Sequence, residues 1–119
     1  MPSDDLVTPL DVEREMVELN NRLDEAPLVI KEHHERVRAA RAAHKKAFAL
    51  AYQAAEGTAM DRKLAAELAT EPELAAMDFA EIEYKFVMDT FDSLRTKLRA
   101  LQSVASLMKA SMFGPQGGI

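Results

Sequence analysis

The chain contains no cysteine. Disulfide frameworks, thiolate metal sites and cysteine nucleophiles are therefore excluded. Tryptophan is absent too, aromatic residues make up 6% and glycine occurs 4 times in 119 residues. No stretch alternates apolar and polar residues with β-branched side chains, so no strand is predicted. No run approaches the roughly 18 consecutive apolar residues of a membrane span. Residues 1–5 are acidic and lack the basic and apolar regions of a signal peptide. The expectation is a soluble, cytoplasmic protein with no membrane partner.

The residues present give the profile of long helices. The sequence is 48% hydrophobic and rich in Ala, Leu, Glu, Lys and Arg. Residues 1–8 read as a flexible lead. Thr8-Pro9 is a helix start, with a hydroxyl to cap the first turn and proline at the first helical position. Asp11 and Glu13 stand next, at the positive end of the helix dipole.

From there Val12, Met16, Leu19, Leu23, Ala26, Ile30, His33, Val37, Ala40, His44, Ala47 and Ala51 recur at alternating steps of four and three. That is a coiled-coil-like seam. Pro27 lies within it and predicts a kink near residues 24–26, although the phase of the seam continues across. Gly57 ends this first arm, residues 9–56, and Thr58 caps the next helical segment. The connection, 57–71, contains a short helix over 59–69 with Met60, Leu64 and Leu68 on its apolar face.

Thr70-Glu71-Pro72 is a second start signal. The last helix is expected over 72–112, with a seam of Met77, Ala80, Tyr84, Val87, Phe91, Leu94, Leu98, Leu101, Ala105, Met108 and Met112. Phe79, Ile82 and Phe86 form a second apolar row, expected to flank that seam. Residues 113–119 contain Gly114, Pro115, Gly117 and Gly118 and read as a helix stop with a flexible tail.

The fold class is thus all-α. Residues 9–112 form one helical domain, a long antiparallel hairpin with a short connecting helix, assembling into a bundle. The seams 12–51 and 77–112 span about 60 Å and 54 Å, so the two arms match in length.

Charge supports the pairing. Residues 4–25 and 71–92 are acidic, whereas 31–46 and 95–109 are basic. Folding near residue 62 sets each basic block beside an acidic one. In that register Ala40 faces Tyr84, and His44 faces the acidic stretch near Glu81. Each surface pair contributes only tenths of a kcal/mol, but the set selects an antiparallel direction.

The chemistry-bearing residues are few. His33 and His34 do not form the His-Glu-x-x-His pattern of a zinc helix. Lys31 and Arg41, three residues before His34 and His44, rule out the Glu-x-x-His pattern of a di-iron bundle. His33 and His44 share a face some three turns apart, too far for one ion, so no metal or other cofactor is expected. No nucleophile elbow or phosphate-cradling glycine loop occurs. Helical chorismate mutases line their pocket with Arg and Lys, whereas this seam is Leu, Ala, Met and Phe. The chain reads as a non-enzyme.

Three surfaces are candidates for binding. Phe79, Ile82 and Phe86 are the candidate self-association surface, with a dimer favoured. Met108, Met112 and Phe113 make an adaptable apolar end for docking a partner protein. Arg36, Arg38, Arg41, Lys45 and Lys46 could contact nucleic acid phosphates, but no aromatics are interleaved for base stacking. An intramolecular role opposite the acidic block is preferred for these bases.

Three segments carry a family resemblance. They are Glu18-Leu19-Asn20-Asn21-Arg22-Leu23-Asp24-Glu25-Ala26, then Ala55-Glu56-Gly57-Thr58 with Asp61-Arg62-Lys63, then Leu98-Arg99-Ala100-Leu101-Gln102-Ser103. With them the chain resembles small all-helical proteins of early or recombination gene clusters of tailed phages, especially those of actinobacteria. The resemblance implies an accessory to phage DNA replication or recombination in the host cytoplasm. Length and hairpin form are also similar to the small hairpin substrates of type VII secretion. The chain departs from that family at the turn, where Glu56-Gly57-Thr58 stands in place of Trp-x-Gly. Tyr84 is also inside a helix rather than in a trailing export motif.

Overall fold

A computed structural model describes the backbone of residues 7–117 and the side chains of residues 7–111. Four helices occur in order: α1 (Pro9–Asp24), α2 (Ala26–Ala54), α3 (Ala59–Ala69) and α4 (Glu71–Gly117). No strand occurs among the described residues. The expected lead lies, for residues 1–6, outside the described residues.

The helix starts result from their local chemistry. At α1 the Thr8 hydroxyl accepts from the Asp11 backbone N–H at 3.2 Å, and the Asp11 carboxylate accepts from the Thr8 N–H at 3.1 Å. Two amides that have no partner within the helix are thereby satisfied. These Thr8 hydrogen bonds, the backbone one foremost, hold the Asp11 carboxyl below the usual aspartate range. Thr58 and Asp61 repeat the arrangement at α3, with both bonds at 3.1 Å.

Thr70 behaves differently from the expected cap. Its hydroxyl turns back and donates to the Ala66 carbonyl at 2.7 Å, closing the end of α3. Thr70 is the single residue between α3 and α4, so the chain has no room for an extended capping residue there.

The interruption at Pro27 is one residue long. Glu25 separates α1 from α2, yet its backbone stays right-handed helical (φ −80°, ψ −17°) and its N–H reaches the Arg22 carbonyl at 3.2 Å. Pro27 has no N–H for the Leu23 carbonyl and its ring crowds that carbonyl, which accounts for the position of the break.

At the other end α4 continues to Gly117, beyond the stop expected after Met112. Pro115 lies in the last turn of that helix, where its missing N–H removes one backbone hydrogen bond.

The helices form two compact units. One comprises Met1–Pro27 with Asp89–Ile119, the other Leu28–Met88. In the first, α1 runs antiparallel to the second part of α4. Lys97 Nζ lies 2.6 Å from Glu15 Oε1, while Val12 and Met16 line one groove with Ala105 and Met108. In the second, α2 runs antiparallel to the first part of α4. Arg41 Nε donates to Glu81 Oε1 at 3.0 Å, and the His34 and Tyr84 rings lie 5.5 Å apart. Both interhelical ion pairs join a basic block to an acidic one.

All the first-arm seam positions, from Val12 to Ala51, are buried or half-buried, and so are those of α4 from Met77 to Met108. Val12, Leu19, Ala26, Val37 and Ala66 are the fully buried apolar residues among those described. The register departs from the expected one. Tyr84, expected opposite Ala40, packs on His34, six residues nearer the start of α2. Glu81 pairs with Arg41, one turn before His44 and close to its expected place. Charge blocks several turns long specify a direction, but they tolerate sliding by a turn or two. Individual side-chain fits then choose the register.

Candidate functional site

The second unit carries most of the large apolar side chains that the fold leaves in water. On α4, Phe79, Ile82 and Phe86 are 63%, 68% and 70% exposed. A residue advances about 100° around a helix, so this row lies roughly 150° from Met77, Ala80 and Tyr84. The row therefore does not flank the seam, as expected from its apolar character alone. It occupies the opposite side of the helix. The same angular arithmetic, applied to the sequence, was the signal that would have placed it there.

Met60, Leu64 and Leu68 share one face of α3 as expected, and that face is turned to solvent, at 62%, 56% and 69% exposed. The packed side is Arg62, Ala66 and Thr70. Arg62 anchors it, with its guanidinium carbon 4.6 Å from the Tyr52 ring centroid and its Nε donating to the Tyr52 carbonyl at 3.2 Å. Short connections on both sides of α3 hold it close to the end of α2.

Leu64 and Leu68 instead border a cleft of about 530 Å³ with His44, Phe48 and Leu74. His44 sits 6.3 Å from the Phe48 ring and lines this cleft beside Glu67 and Glu71. His33 is half-buried, and His34 packs on Tyr84. Among the described residues no group of three or more His, Asp or Glu is placed to hold a metal ion.

The first unit has its own apolar groove, of about 460 Å³, between the start of α1 and the later part of α4. Val12, Met16 and Val17 meet Ala105 and Met108 there, with Glu13 and Lys109 at the margin. Of the candidate docking end, Met108 is half-buried in this groove, and the side chains of Met112 and Phe113 lie outside the described residues.

The five bases of α2 do not make one surface. Arg36, Arg38, Arg41, Lys45 and Lys46 are all exposed. At about 100° per residue, Arg38, Arg41 and Lys45 share one side of the helix, while Arg36 and Lys46 lie apart from it. Arg41 is also committed to Glu81. Among the described residues, no helix is long and apolar enough to cross a membrane. Comparison with known families, curated proteins and solved structures finds no match to this chain.

Proposed function

We propose that the chain is a non-enzymatic helical assembly protein that associates with a second copy of itself through Phe79, Ile82 and Phe86. The observation carrying this reading is the exposure of all three on the side of α4 turned away from α2. Monomers seldom leave a contiguous row of this kind in water, where it forms a patch that promotes association. Six such side chains, three from each copy, would contribute about 1.5–3 kcal/mol each when covered. That competes with an association cost of about 4–15 kcal/mol, so the favourable term is large enough to hold a dimer together. Pairing of two copies would give the bundle expected of long amphipathic helices. The phage resemblance gives the assembly a context, as an accessory of DNA replication or recombination.

Light scattering at tens of micromolar tests the reading. The wild type should have the mass of a dimer. Phe79→Glu with Phe86→Glu should give a monomer of unchanged helical content by circular dichroism. A wild type that remains monomeric sinks the proposal.

A further inference from the structure

Charges beside the apolar row identify how the second copy docks. Ala75, Phe79, Ile82 and Phe86 succeed one another at steps of four, three and four, so they form a short coiled-coil stripe. Asp78 and Lys85 border one side of it, and with Ile82 and Glu81 they surround a shallow surface hollow. Glu83 borders the other side. Both Asp78 and Lys85 are exposed, and neither has an ion-pair or hydrogen-bond partner among the described residues. Lys85 is also the single base within the acidic block 71–92.

We infer that two copies pair antiparallel along this stripe, with the two-fold axis between Ala80 and Glu81, so that Asp78 of each meets Lys85 of the other. The inference rests on the self-association proposed above. In an antiparallel coiled coil, positions on the same border of the two stripes meet. In this register Phe79 packs on Ile82 of the second copy, and Phe86 packs on Ala75. Large side chains thus oppose smaller ones, as close packing requires. Glu83 meets Ala76, which carries no charge.

The alternatives are each opposed by a like-charge contact. Sliding one heptad in one direction brings Lys85 onto Lys85, and in the other direction it brings Asp78 onto Asp78. A parallel pair sets Asp78 beside Glu83. Within the stripe, opposite signs at Asp78 and Lys85 thus favour this direction and register.

Charge reversal in the full-length chain tests this. By symmetry each single reversal replaces two attractions with two repulsions. Asp78→Lys and Lys85→Asp should each weaken the dimer about tenfold, less at high salt, and the double reversal should restore it. A parallel pair requires a different outcome, because Asp78→Lys would then strengthen association through Glu83. A second measurement does not depend on affinity. Mixed Phe79→Cys and Ile82→Cys chains should form the mixed disulfide in preference to either homodisulfide. Predominant homodisulfides in a protein that still has a dimer mass would overturn the register and leave self-association standing. A monomeric wild type would overturn both.

Discussion

Gly57 has φ +105°, the only positive φ among the described residues. An added Cβ would lie 2.8 Å from Asp61 Oδ2, the carboxylate oxygen that caps α3. Gly57→Ala would thus strain the backbone and displace a capping group together. The expected cost is about 1–3 kcal/mol, read as a lower urea midpoint with an unchanged slope. An unaltered midpoint would show that the connection relaxes freely. The importance of Gly57 was legible in the sequence as a helix terminator. Its close approach to Asp61 was not, because that depends on how the cap of α3 is formed.

At the scale of elements, the pairing of α2 with the first part of α4 is the feature most open to direct measurement. Cysteines at His34 and Tyr84, whose rings lie 5.5 Å apart, should be joined within one chain by a short bifunctional maleimide. Cysteines at Ala40 and Tyr84, the pair suggested by folding at residue 62, should react more slowly. The reverse order of rates would restore the sequence-based register. Seam membership was readable, since Val12 through Ala51 and Met77 through Met108 are all removed at least partly from solvent. The packed side of α3 was not. The leucines of this 11-residue helix lie on one side, yet the side that packs is that of Ala66, with Arg62 on Tyr52.

For the whole molecule, a net charge of −5 argues against general attraction to nucleic acid. The bases of α2 point in several directions, and Arg41 already has a carboxylate partner. No measurable binding of single- or double-stranded DNA is expected at physiological salt by fluorescence anisotropy. Micromolar binding that falls steeply with salt, and disappears on reversing Arg36, Arg38, Arg41, Lys45 and Lys46, would instead establish a phosphate-binding surface.

The helices, their caps at Thr8 and Thr58, the break near Pro27 and the antiparallel sense of pairing all follow from residue order alone. Each of these is set by neighbours a few residues away, or by charge summed over many residues, and neither depends on the fit of particular side chains. Tertiary structure decided the register of α2 on α4 and the orientation of α3. It also decided which apolar residues the single chain leaves uncovered. Those depend on individual contacts between different helices, His34 with Tyr84 and Arg62 with Tyr52, where several arrangements satisfy the same periodicity and shape alone distinguishes them.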